Sequence, residues 1–154
     1  MKKVTKIKKK KREVVICSSA AFYKNMLDVE DELKRLGFKV IIPLTASAMK
    51  KNGDFSVERY KTWHKNSDDY KRKTFLTKHH FNKIVKGDVI LVLNYEKNGI
   101  IGYIGGAVLS EMAIALHHGK KIYMLNPVPE SLSYKEELYG MMPIVINGDL
   151  NLIR

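Results

Sequence analysis

The sequence predicts a single α/β domain: a doubly wound, Rossmann-like or flavodoxin-like sheet of about five mostly parallel strands, with helices on both faces. Three observations carry this expectation. Short continuous apolar runs, the mark of strands covered on both faces, recur along the chain. Stretches with apolar residues at helical spacing separate them, and glycine or proline closes most segments. A length of 154 residues suits one domain whose core needs no disulfide or metal staple.

The elements follow in order. Val14-Val15-Ile16-Cys17 is an apolar run that predicts a first buried strand. Ser18-Ser19-Ala20-Ala21 turns the chain into a helix whose apolar positions are Phe22, Met26, Val29, Leu33 and Leu36, and Gly37 closes it. Residues 38–42 read as a second strand, stopped by Pro43. Residues 45–73 are polar, contain Asn52-Gly53-Asp54 and the single tryptophan, Trp63, and read as a long irregular insertion. Such a segment is either a binding loop or a solvent-exposed connection anchored by its aromatic residue.

A helix is expected near 74–86, with Leu76, Phe81, Ile84 and Val85 on one face and Gly87 at its end. Residues 88–93 form the clearest buried strand, and a loop over 94–106 carries Gly99, Gly102, Gly105 and Gly106. A helix of small and apolar residues spans 107–118, closed by Gly119, and 121–125 is a further strand ended by Asn126-Pro127-Val128-Pro129. Ser133 with Glu136 three residues later has the spacing of a capping box and predicts a short helix there. Residues 144–146 make the last strand, turned by Asn147-Gly148.

Charge and composition narrow the function classes. Of 28 basic residues, eight lie in residues 1–12 with no acid among them; the rest of the chain holds 20 basic and 16 acidic residues. The strong net charge of +12 is thus largely a tail, read as a solvated arm that adds at most salt-sensitive attraction to nucleic acid. Residues 13–154 form the domain. The lone cysteine, Cys17, rules out a disulfide framework and a cysteine-rich zinc site. No apolar run reaches the roughly 20 residues that span a bilayer. The apolar stretch from Val14 to Phe22 is short, follows Glu13, contains two serines and lacks a cleavage site, so it reads as strand and turn rather than leader. These features predict a cytoplasmic protein with no membrane partner.

In a doubly wound sheet, ligands bind beyond the carboxyl ends of the strands, so the loops after 14–17 and 88–93 matter most. Ser18 and Ser19 stand where small residues and helix-start amides attract an anion; the alternative is an ordinary N-cap serine. Gly105-Gly106 permits left-handed or close-packed backbone before the next helix. Glu111 falls about one turn inside that helix, among Met112, Ala113, Ile114, Ala115 and Leu116. Its carboxylate either faces the crevice or merely complements the helix dipole. The glycines lack dinucleotide-binding spacing, and no G-x-S-x-G elbow appears. The adjacent pairs His79-His80 and His117-His118 point about 100° apart on a helix, so the sequence predicts no metal site and no cofactor. Cys17, ending a buried strand, is expected to be packed rather than reactive.

Ile16-Cys17-Ser18-Ser19, the strand from Gly87 to Leu93, and Tyr103-Ile104-Gly105-Gly106 leading to Glu111 resemble, in their order and spacing, the nucleoside 2-deoxyribosyltransferase-like superfamily. The resemblance covers residues 14–43, 80–93 and 99–129. It implies cleavage or transfer at the N-glycosidic bond of a deoxynucleoside or nucleoside 5′-monophosphate. Glu111 would be the nucleophile or the stabiliser of an oxocarbenium-like transition state. Ser19, with Ser18, would contact the phosphate end of the substrate. Gly105 and Gly106 would line the sugar pocket, and Ser110 would be a further substrate-binding residue. It also implies a homodimer or larger homo-oligomer. His80 occupies a position where many members carry an acid, and Gly105 one where they carry Asp or Ser. His80 is expected either to act as an acid or base, its ordinary pKa being near neutrality, or to be a helix-surface residue. The alternative function is a nucleotide-binding sensor without turnover.

Overall fold

The computed structural model describes residues 8–154. Most of the basic tail, residues 1–7, lies outside the described residues; Lys8 to Arg12 are exposed and lead directly into the first strand. The sheet has five strands: β1 (Glu13–Ser18), β2 (Lys39–Ile41), β3 (Val89–Leu93), β4 (Lys121–Met124) and β5 (Ile144–Val145). Their spatial order is β2-β1-β3-β4-β5, and every pairing is parallel. This is the doubly wound, flavodoxin-like arrangement, whose strand order switches direction between β1 and β3.

Helices cover both faces because β3 is apolar throughout and β1 is apolar from Val14 to Cys17, so both faces of the sheet centre must be buried. In β1 the alternation sends Val14 and Ile16 to one side and Val15 and Cys17 to the other. The first side packs Met26, Val29 and Leu33 of α1 (Tyr23–Arg35) and Ala46 and Met49 of α2 (Leu44–Asn52). The second packs Ile84 of α4 (Tyr70–Lys86) and Val108, Met112 and Ala115 of α5 (Gly106–His117). Cys17 therefore looks toward the two helices that carry His80 and Glu111.

Three expectations are corrected. The insertion over 45–73 is not irregular: it holds α2, the short α3 (Val57–Tyr60) and two 3-10 turns at Thr62–His64 and Ser67–Asp69. The signal was present but short. Ala46 and Met49 repeat at three residues, lysines fill the last turn, and Gly53 caps α2 with φ +63°. The helix expected near 74 begins at Tyr70. The capping box does not form, because α6 (Lys135–Gly140) starts after Tyr134 and has no side-chain cap; Ser133 lies outside it. Instead the Tyr134 hydroxyl donates to the Ile104 carbonyl, tying this segment to the loop before α5.

That loop is held by side chains at the strand ends. Asn94, fully buried, donates to the carbonyls of Asn126 and Gly102. Asn98 and Gly99 both take positive φ in a tight turn closed by Lys97 and Ile100. Among the described residues no helix is long and apolar enough to cross a membrane.

Candidate active site

A cleft of about 340 Å³ opens at the carboxyl ends of β1 and β3, at the switch in strand order. Its volume is within the range of small-molecule sites. All seven residues singled out from the sequence line it: Ser18, Ser19, His80, Gly105, Gly106, Ser110 and Glu111.

The serines enter from the end of β1. Ser18 is buried and its Oγ donates to the Ser19 carbonyl at 2.9 Å. Ser19 precedes a 3-10 turn at Ala20–Phe22 but its side chain makes no cap. Its Oγ accepts from Lys97 Nζ at 3.2 Å instead. Neither hydroxyl is spent on capping.

At the entrance to α5, Gly105 is extended (φ −89°, ψ 175°), so the left-handed conformation permitted by glycine is not used there. What glycine supplies is close packing, since a Cβ at 105 would stand 3.1 Å from the Tyr103 hydroxyl. A Cβ at Gly106 would meet nothing within 4 Å, which leaves bare backbone facing the cleft. Ser110 Oγ donates to the Ala107 carbonyl at 2.6 Å.

Glu111 projects from α5 between Val108 and Met112, both of which pack on the sheet. Its Oε2 is buried and has no hydrogen-bond partner among the described residues. Burial pushes its pKa up to about 8, against the opposing pull of the Cys17 thiol and, next, of the Lys73 charge. At neutral pH the carboxyl is mostly protonated.

His80 is buried, which corrects the helix-surface expectation. Burial, reinforced by Lys83, lowers its pKa to about 4, with the Ile16 carbonyl opposing weakly. A titration near neutrality is therefore lost, and His80 is a neutral imidazole at pH 7. One ring nitrogen, Nε2, is hydrogen-bonded with Cys17 Sγ at 3.7 Å, and Nδ1 has no partner. Burial, and next the neighbouring Glu111, raise the Cys17 pKa well above the usual thiol range. The cysteine is packed, unreactive as a thiolate, and in contact with the site.

Cys17, His80 and Glu111 each offer a ligand atom, and these lie within 4.8 Å of one another. The mixed sulfur, nitrogen and oxygen set is one that tetrahedral zinc accepts. Sequence spacing could not reveal it, because the three residues come from β1, α4 and α5.

Other cleft residues escaped the sequence reading. Trp63, buried, forms part of the wall, as do Lys61, Lys73, Lys97 and Tyr103. Trp63 belongs to the insertion for which a binding loop was one of the two readings, although the tryptophan itself carried no assigned role in binding. The lysines gave no signal, being scattered among many others in a basic chain. No protein-family model matches the chain, and no curated protein matches it.

Proposed function

We propose that the protein cleaves, or transfers, at the N-glycosidic bond of a nucleoside or its 5′-phosphate, with Glu111 beside the anomeric carbon. The observation supporting this reading is the meeting of Glu111 with Ser18, Ser19 and the bare backbone at Gly106 in one cleft. A pentose lying over Gly105-Gly106 would present C1′ to the carboxyl and its 5′ end to Ser19.

The chemistry follows from charge. The C1′–nitrogen bond breaks with its electron pair leaving on the base, which takes a proton from water in the cleft, and positive charge develops on the sugar. Ionised Glu111 either bonds to C1′ or stays beside it as a counter-ion. Water then adds to C1′ and loses a proton, or a second base takes its place. Burial makes the lone carboxylate costly, yet it strengthens the same carboxylate's attraction to a cationic transition state. The working form is the deprotonated one, a minority species at pH 7. Neutral His80 would hold position through Cys17 rather than shuttle protons.

One observation favours a second reading. Glu111 and His80, both lining the cleft, are uncharged at neutral pH, as suits a site that binds a nucleotide without turning it over. Incubating the purified protein with deoxynucleosides and their 5′-phosphates, followed by chromatography for free base, separates the two. Base release that disappears in Glu111→Gln supports the glycosidic reading. Saturable binding with no product in the wild type overturns it in favour of a sensor.

A further inference from the structure

Beyond Glu111, the cleft wall carries three ammonium groups and no acid to balance them. Lys61 precedes the turn at Thr62–His64, Lys73 lies in the first turn of α4, and Lys97 sits in the loop after β3. Each is only partly exposed. None forms an ion pair among the described residues, and Glu111 is the single acidic residue among those lining the cleft.

What these lysines touch instead are weak partners. Lys73 Nζ lies 5.6 Å from the centre of the Trp63 ring, and Lys97 Nζ lies 5.0 Å from that of Tyr103 while donating to Ser19 Oγ. Lys61 is held below the ordinary lysine range by burial first, then by Lys73 and Lys97. Like charges gathered around one cleft are unfavourable without a counter-anion. The fold has brought them together from three separate stretches of chain.

The anion that fits can be argued from charge and donor type. A phosphate monoester carries about −1.5 to −2 at pH 7, which leaves three ammonium groups under-compensated. A second phosphate closes that gap. Lysine binds phosphate as a compact point charge, and the Ser19 hydroxyl adds a donor beside Lys97. We propose that this wall is a polyphosphate subsite, and that the ligand class is the nucleoside 5′-diphosphate or triphosphate rather than the monophosphate. The nucleoside half of this assignment rests on the glycosidic reading above; the polyphosphate half stands on the lysines.

Calorimetric titration of the full chain tests it. The ligands are pyrophosphate, tripolyphosphate, and the deoxynucleosides of all four common bases with their 5′-mono-, di- and triphosphates. Affinity is expected to rise at least tenfold from mono- to diphosphate for the preferred base, and pyrophosphate is expected to compete. In Lys73→Gln/Lys97→Gln the step from mono- to diphosphate should vanish while nucleoside affinity persists; the tail, common to both proteins, cancels. A monophosphate that binds the wild type as tightly as the diphosphate overturns the subsite, and so does a step unchanged in the double variant. The outcomes separate the two assignments. Polyphosphate binding without base release leaves the subsite standing and removes the glycosidic reading. Base release with no diphosphate preference does the reverse.

Discussion

Asn94 at the end of β3 and Asn126 at the end of β4 hold each other through three hydrogen bonds. Asn94 Nδ2 donates to the Asn126 carbonyl at 2.8 Å, Asn126 N donates to Asn94 Oδ1 at 2.8 Å, and Asn126 Nδ2 donates to the Asn94 carbonyl at 2.9 Å. A fourth bond, from Asn94 Nδ2 to the Gly102 carbonyl, extends the clasp to the loop that carries Tyr103 and Gly105. Replacing Asn94 with alanine leaves several polar groups without partners, at a cost of about 3 kcal/mol. The melting temperature should fall by roughly 6–12 °C. A fall under about 2 °C in thermal denaturation would show that the clasp does not hold the strand ends.

Two glycines, one in this loop and one opening α5, should behave differently. Gly102 has φ +77°, and a Cβ there would stand 2.7 Å from the Pro127 carbonyl oxygen. Gly102→Ala is expected to destabilise by roughly 1–3 kcal/mol. Gly106→Ala, with open space around its Cβ and a helical place in α5, should leave stability unchanged or slightly higher. Its methyl group would intrude on the bare backbone of the cleft, so nucleotide affinity should drop by tenfold or more. Paired melting curves and binding titrations of the two variants check the contrast.

Glu111 also makes the fold pH-sensitive. Its pKa is raised by burial to about 8, so it favours the folded state fully below the ordinary carboxylate range, and this contribution is lost as pH rises toward 8. His80 has the opposite slope: depressed to about 4, it favours the folded state above about 6.5, and that contribution is lost as pH falls toward 4. Glu111→Gln removes the first liability. The variant should melt above the wild type at pH 8 by several degrees, with the difference shrinking steadily toward pH 5. A difference independent of pH would contradict a buried, mostly protonated carboxyl.

The rate of base release should carry the same signature. If ionised Glu111 is the working form, kcat/KM rises about tenfold per pH unit below pH 8 and levels off above it. A profile that instead declines through pH 8 would mean that the protonated carboxyl acts, as a donor to the departing base.

The donor set of Cys17, His80 and Glu111 gives a metal-dependent test of the same assignment. Chelators should leave base release unchanged, since the proposed reaction needs Glu111 free. Added zinc should inhibit by taking up that carboxylate, and Cys17→Ser should weaken the inhibition. Loss of activity on chelation would make Glu111 a ligand and end its role as the group beside C1′.

Much of the fold was legible because its signals are local. Val89 to Leu93 is apolar at every position, short and rich in β-branched residues, and so read most clearly as a strand covered on both faces. Gly37 and Gly119 both take the left-handed conformation expected where helices end. Glu111 stood out as an acid inside an apolar helix; the sequence left open whether it faced the crevice or only complemented the helix dipole, and the fold puts it in the cleft with Ser18 and Ser19. The region after Pro43 was harder. Its helix α2 has only nine residues and presents just Ala46 and Met49 as buried positions, too few to separate a helical period from a polar loop.

Sequence alone determined which segments form strands and, outside the stretch after Pro43, which side of each long helix is apolar, and hence that ligands would bind at the carboxyl edge of the sheet. These are matters of periodicity and capping, settled within a few residues of one another. The tertiary structure decided the protonation of Glu111 and His80 and the gathering of Lys61, Lys73 and Lys97 around one cleft. Those properties depend on burial and on Coulomb interactions between residues distant in the chain, and neither quantity exists until the chain has folded.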